Sequence, residues 1–394
     1  MRTVSKTVIG VDFGTQSARA VLVNAENGEI IYSCRKEYPY NSTPVPAIDC
    51  AENLPCATDY EMTLYELLRN VIPEEYRKTV AGICVDATSL TMVLLAEDGR
   101  ALSELDGWSE AAHARVKLWK YHRAQEKADE ALNLARNLQE PFLGRTGGSI
   151  SCEWMLPKLL EVRDEAPEIY SKIDLAMDLC EFLTFRLTGQ LVRSIGSLSY
   201  KCLWAEDLSF PERTFLNGLR AGFYEEYCHF LRGDVRKPGE CAGMLRSELT
   251  KRWGLPEQIP VATGMLDGHT SLATMGAFEP GDAALIVGTS NVCTVQDRKL
   301  QELKDVCGVA QDGMVTGSCG IDTGQSSTGN MLGWFVEHMA GWQIHREAEE
   351  RKISPHQVLA ERIQKPWENK VIAVDWWSGS RNAPCDLTLR GSMS

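Results

Sequence analysis

The stretch VIGVDFGTQSARAVLV, residues 8–23, constrains the fold of this chain more than any other. An apolar run ends in Asp12. A turn of Gly14, Thr15, Gln16 and Ser17 follows, and a second apolar run leads away. Two such runs about a glycine-bearing turn read as a β-hairpin. The design returns at AALIVGTSNVCTVQD, residues 283–297, around Gly288, Thr289 and Ser290. Two hairpins of one kind, one in each half, imply two related domains facing a common cleft. A Gly-Thr-Ser turn presents successive N–H and hydroxyl groups in a small concavity, which suits phosphate. Two opposed turns would clamp a polyphosphate. Asp12 at a strand tip would hold Mg2+ through water, because Mg2+ takes few carboxylates and keeps much of its hydration. No G-x-x-x-x-G-K-[ST] occurs, so a Walker-type ATPase is not indicated.

The chain has 394 residues, enough for two or three domains at roughly 150 residues each. The net charge of −13 argues against nucleic acid or an anionic membrane as a partner. It leaves a phosphate-bearing ligand open, since backbone N–H groups bind phosphate without positive side chains. The 13 cysteines are scattered, without a C-x-x-C pair, so neither a zinc site nor a redox pair is expected. Reduced thiols and the lack of an apolar leader or membrane-length run point to a cytoplasmic protein.

The opening reads as three strands, TVIGVDF, ARAVLVN and EIIYSCRKEY, followed by a helix over ATDYEMTLYELLRNVI. AGICVDATSLTMVLL reads as two strands broken near Thr88 and Ser89. Residues 108–190 read as mostly helical, with VKLWKYHRAQEKADEALNLARNL as one long helix. Helices also dominate 211–255. A second sheet is expected to begin near IPVATGMLDGHT, residues 259–270, and to continue through the second hairpin. GQSSTGNMLGWFVEHMAGW reads as a capped helix and KVIAVDWW as a last strand. The domains are placed at 1–257 and 258–394.

GVDFGTQSARA and VGTSNVCTV resemble the two phosphate motifs of the actin, hexokinase and heat-shock ATPase fold. VDATSLTMVLL, VKLWKYHRA, GGSISCEWMLPKLLEV, DLCEFLTFRLTG, SYKCLW, GMLDGHTSLATMG, GIDTGQSSTGN and DWWSGSRNAP extend the likeness from residue 8 to the end. Together they resemble the FGGY carbohydrate kinases, ribulokinases above all. The resemblance implies an α/β chain of two domains in the ribonuclease H-like (actin-like ATPase) fold, with mixed sheets flanked by helices. The first domain would carry the sugar site and one phosphate turn. The second, nucleotide-binding domain would be incomplete, since the family's glycine-pair loop for adenosine finds no match. Weak nucleotide binding and exposed apolar surface are expected from that.

By the same resemblance, Asp267 in GMLDGH is the general base, as phosphoryl transfer requires a positioned nucleophile and an acceptor for its proton. Gly14, Thr15, Gln16, Ser17, Gly288, Thr289 and Ser290 hold the phosphates of ATP, and Asp12 the Mg2+. Ser89, Trp119, Lys201, Asp267 and Asp322 line the sugar site. Asp322 stands where a glutamate is expected, and Tyr121 replaces an expected aspartate. The implied reaction moves the γ-phosphate of ATP to the terminal hydroxyl of ribulose, L-ribulose before D-ribulose. Partners are then a sugar and ATP, with a homodimer as the assembly to test.

Each residue also has an ordinary reading. Asp12 would cap its turn, and Asp267 would cap the helix HTSLATMG. Thr289 and Ser290 would be turn chemistry. Trp119 would be core on an amphipathic helix, and Lys201 a solvated lysine. His269 and Asp86 read as structural. At the level of the whole chain, the rivals are a sugar-binding paralogue without turnover, an actin-like ATPase without a sugar, and a gene fragment without independent function.

Overall fold

The computed structural model describes residues 6–38, 54–288, 290–363, 372–382, 385–386 and 388–394. β1 (Thr7–Phe13) and β2 (Ser17–Asn24) form the first hairpin, and β3 (Ile30–Glu37) adds antiparallel to β2. Ile9, Val11 and Phe13 alternate inward along β1 and meet Ala18, Ala20 and Leu22 of β2 in one core. α1 (Ala57–Asn70) covers this face with Tyr60, Leu64, Leu67 and Leu68, spaced three and four apart. β4 (Val80–Ala87) then returns parallel to β1, so Asp12 and Asp86 stand side by side at the strand ends.

β5 (Met92–Leu95) leaves this sheet and pairs with β6 (Leu175–Asp178). Between them lies a helical insert of α2 (Gln125–Leu138), α3 (Met155–Glu165) and α4 (Pro167–Tyr170). Ala128, Ala131 and Ala135 of α2 are small enough to let its backbone approach α3 closely. α5 (Leu179–Thr188) packs under β4, and β7 (Val192–Ser194) leads to α6 (Ile195–Lys201). α7 (Arg213–Leu219) and α8 (Phe223–Phe230) complete the insert, and β8 (Asp234–Arg236) pairs with β7.

β9 (Cys241–Met244), α9 (Ser247–Trp253), β10 (Pro260–Ala262) and β11 (Met265–Leu266) precede α10 (Asp267–Met275). β10 and β11 both run parallel to β4 and close the first sheet, in the order β3-β2-β1-β4-β10-β9 with β11 also on β4. Strands at 259–270 were expected to open the second sheet. They belong to the first because β4 offers them an unpaired parallel edge.

The second sheet is β12 (Ala283–Val287), β13 (Asn291–Asp297), β14 (Gly308–Gln311) and β15 (Cys319–Gln325), in the order β12-β13-β15-β14 and antiparallel throughout. Leu285 and Val287 on its β12 edge are exposed. α11 (Gly329–His338), α12 (Trp342–Arg351) and α13 (Pro355–Arg362) follow. The strand expected over KVIAVDWW is reduced to β16 (Ala373–Val374), paired with β17 (Ser392–Met393); Lys370 and Val371 lie outside the described residues. Tyr200 of α6 joins the insert to this second sheet. Its hydroxyl donates to the Gly320 carbonyl at 2.7 Å. Its ring lies where a Cβ at Gly308, Gly313 or Gly320 would stand, 2.5–2.8 Å from Tyr200 atoms.

The long helix expected over 116–138 begins only at Gln125. Lys117 instead exchanges both backbone hydrogen bonds with Met92, extending β5. Its side chain is fully buried, with Nζ 3.4 Å from Glu161 Oε2 and 3.2 Å from the Tyr121 hydroxyl. Tyr121 donates to the same Glu161 oxygen at 2.8 Å. Tyr121, which stands where an aspartate was expected, therefore belongs to a buried structural network. Every cysteine among the described residues is a free thiol, and no described helix is long and apolar enough to cross a membrane.

Burial pushes the Lys117 ammonium down to about 8, with Glu161 pulling the other way. Removing the acid would strand a buried cation. Glu161→Leu is expected to destabilise the chain by about 3–5 kcal/mol in urea unfolding. The double change Lys117→Met/Glu161→Leu should recover most of that loss. An undiminished midpoint in the single variant would show that the pair is not structural.

Candidate active site

Two strand ends and one helix start deliver acids to one place. In the parallel register Asp12, Asp86 and Met265 are neighbours on β1, β4 and β11. Asp267 follows two residues later as the first residue of α10. These acids face a cleft of about 630 Å³ that reaches from the first hairpin to the second sheet. Gly14 and Thr15 enter it from the first hairpin, Gly288 and Ser290 from the second. Ser89, Trp119, Lys201 and Asp322 line the rest, so most of the residues singled out in the sequence meet in one cavity.

Three do not. Ser17 is buried as the first residue of β2, where its hydroxyl accepts from Arg35 Nε at 3.0 Å. Only its backbone serves the turn, through Gly14 N–H to the Ser17 carbonyl at 3.1 Å. Gln16 is exposed at the hairpin tip and does not line the cleft. Thr289 lies outside the described residues.

Trp119 sits on a turn, not on the helix expected for it, and its indole N–H donates to Thr15 Oγ1 at 3.0 Å. Lys201 is partly buried and pairs with Asp322 Oδ2 at 3.2 Å, across 121 residues. Burial opposes both charges. The attraction of Asp322 nevertheless keeps the Lys201 pKa raised, and Lys201 and His269 hold Asp322 well below the usual carboxylate range. His269 Nε2 lies 3.8 Å from Asp322 Oδ2, and its ring packs edge-on to Tyr200.

Two further cleft residues, Glu153 and Arg381, were not singled out in the sequence. Arg381 donates to Glu153 Oε1 at 3.2 Å and lies 4.8 Å over the Trp119 ring. His122 stands 3.2 Å from the same oxygen. Burial works against the Glu153 carboxylate, but Arg381 and His122 bring it down to about 2. Both residues lie within the quoted segments GGSISCEWMLPKLLEV and DWWSGSRNAP. Only their convergence in space reveals them, since 228 positions separate them.

The opposite end of the cleft is unlike this. Burial pushes Asp86 up to about 8, with Asp12 the next cause. Burial pushes Asp267 up to about 7 as well, against the Gly268 N–H that donates to its Oδ1 at 2.7 Å. Asp86 Oδ1 is buried without a hydrogen-bond partner among the described residues. Asp12 is half exposed and has Arg19 Nε at 3.3 Å from Oδ2. A cation would relieve this crowding of acids. No cluster of three metal-ligating side chains exists among the described residues. An ion at Asp12 and Asp86 would thus keep much of its water, as Mg2+ does. Asp86 had read as structural in the sequence. Its register beside Asp12 places it in the cleft.

The family profile described as the FGGY family of carbohydrate kinases, N-terminal domain, matches residues 7–275. A ribulokinase of Halalkalibacterium halodurans is 32% identical over 399 residues, covering 99% of this chain and 71% of that protein. A ribulokinase of Mycolicibacterium smegmatis is 35% identical over 404 residues, covering 98% and 71%. A solved xylulose kinase from Rhodospirillum rubrum superposes with a TM-score of 0.73 at 20% identity, over 99% of this chain and 72% of that one. A gluconate kinase from Lactobacillus acidophilus gives 0.74 at 19% identity, over 98% and 72%. These structures share the fold.

Asp86 binds its proton more tightly folded than unfolded, so its contribution to stability falls as pH rises from about 4 towards 8. Asp86→Asn is therefore expected to raise the melting temperature at pH 8, with the gain shrinking towards pH 5. A gain independent of pH would place the effect in packing, not in charge.

Proposed function

Since this chain belongs to the FGGY family of carbohydrate kinases, we propose that it moves the γ-phosphoryl group of ATP to the terminal hydroxyl of ribulose, most readily L-ribulose. The carrying observation is that Asp267 lines one cleft together with Trp119, Glu153, Lys201, Asp322 and Arg381 and with two glycine-bearing hairpin turns. When bound, Mg2+-ATP supplies the phosphoryl group. The chain's own residues do the rest.

Thr15 on one side and Ser290 on the other offer N–H and hydroxyl donors to phosphate oxygens, while the Gly14 and Gly288 N–H groups close their own turns on the Ser17 and Ser290 carbonyls and keep the approach free of side chains. Thr289 completes the second turn in the sequence. Asp12, with Asp86 beside it, holds the hydrated Mg2+. Trp119 gives an apolar wall to the sugar. Lys201 and Asp322 offer a donor and an acceptor to its hydroxyls, and Ser89 closes that wall with backbone. Asp267 accepts the proton of the attacking hydroxyl. A carboxylate raised to about 7 is a better base than an ordinary one and still loses its proton near neutral pH.

Asp322 favours keeping D-ribulose as a second substrate. It is one methylene shorter than the glutamate that the resemblance implies, and its charge is tied to Lys201 at 3.2 Å. A shorter acid held by a lysine leaves room for a differently placed hydroxyl.

The test is ADP release by the 394-residue chain with Mg2+-ATP and L-ribulose, D-ribulose or no sugar. Release should depend on sugar, and Asp267→Asn should lower kcat by about 10²–10⁴. In the same assay kcat/KM should rise with pH and level off above about 7, as Asp267 loses its proton. Release without sugar would favour an ATPase. No release from folded chain would favour a sugar-binding protein without turnover.

A further inference from the structure

A second cavity, of about 400 Å³, shares no lining residue with the cleft. It lies between two segments of the helical insert and the β14 side of the second sheet. One of those segments, Leu203–Glu212, follows directly on α6 and its Lys201. The cavity's walls are largely apolar, with Phe142, Leu203, Trp204, Leu208, Phe210 and Val309. Its size and lining are those of a small-molecule site.

The charges around it are one-sided. Glu140, Glu206, Asp207 and Glu212 line it, against Arg145 alone. Arg145 is already committed, with both terminal nitrogens on Asp207 at 2.7 Å. Glu140 and Thr146 are each only 5% exposed. Glu140 Oε2 and Thr146 Oγ1 have no hydrogen-bond partner among the described residues. The Glu212 backbone supplies Glu140 with one hydrogen bond, and burial with the Glu212 charge pushes its carboxyl up. A buried carboxyl oxygen without a partner is costly, and a donor brought by a ligand would remove the cost. An ammonium is the donor that also answers the excess of acids. Aromatic walls suit the apolar body behind it and attract the cation itself.

We propose that this cavity is a binding site for a small organic cation, a primary amine on a phenyl-sized apolar body, with Glu140 as the counter-charge. The site is independent of the sugar-kinase reading, and its test uses binding alone.

Isothermal titration of the full chain with 2-phenylethylamine should give saturable binding at one site. Phenylacetate, of the same shape and opposite charge, should bind at least tenfold more weakly. Glu140→Gln should weaken the amine at least tenfold. Leu208→Trp, at a 43% exposed position that tolerates bulk, should block the cavity and abolish binding. Each variant is checked for an unchanged cooperative melt. Absence of saturation in folded wild-type chain would overturn the proposal. So would equal binding of phenylacetate, or unchanged affinity in Glu140→Gln. If Glu140→Gln fails to fold, amine binding that survives in Leu208→Trp overturns it instead.

Discussion

The buried carboxylate of Asp178 gathers four donors from three elements, two of which line the cleft. Leu90 and Thr91 N–H reach it from the turn after β4, each at 3.1 Å. Leu179 N–H reaches it at 2.8 Å from the start of α5, and the Ser197 hydroxyl at 2.8 Å from α6. Leu90 adopts a left-handed backbone, φ 45°, which costs a side-chain-bearing residue about 1–2 kcal/mol. Hydrogen bonds to a charged group contribute about 1.5–3 kcal/mol each. Two of them on this turn outweigh its strain. Ser89 is thereby fixed at the cleft wall, while Ser197 sets the helix that carries Lys201. Burial pushes the Asp178 carboxyl up and its donors pull it back, so the hub depends on all of them.

The cleft has two electrostatic characters. At the strand tips, Asp12, Asp86 and Asp267 crowd together and burial raises the last two. A cation placed at that end would relieve the crowding. At the other end every acid has a cation: Asp322 has Lys201, and Glu153 has Arg381. Those charges are fixed at neutral pH. One cavity thus holds carboxyls raised by burial at one end and ion-paired carboxylates at the other.

The hairpins were legible because a period of two and a glycine turn are local properties of a strand pair. Asp12, Gly14, Ser290 and Asp267 were placed in the cleft from such local cues together with the family likeness. What escaped depended on distant neighbours. The helix expected at 116–124 is overruled by Met92, which takes Lys117 into a strand pairing. The strands at 260–266 look no different from second-sheet strands until the free edge of β4 is known. Ser17 has the right chemistry for a phosphate turn, yet its hydroxyl is taken by Arg35 from β3. Asp86 was set aside because a lone acid at a strand end is common. Only the parallel register with β1 makes it the neighbour of Asp12.

The pairing of Glu153 with Arg381 also bears on when the site exists. Ribosomes add about 5–20 residues per second, and 228 residues separate the two partners. The glutamate therefore leaves the ribosome roughly ten to forty-five seconds before its arginine can follow. During that interval the core of the first sheet and the helical insert can form, since their contacts lie upstream. In that window Glu153 has His122 beside it but not yet Arg381. The finished wall of the cleft, with its ion pair stacked over Trp119, is thus completed only by the last residues of the chain to appear.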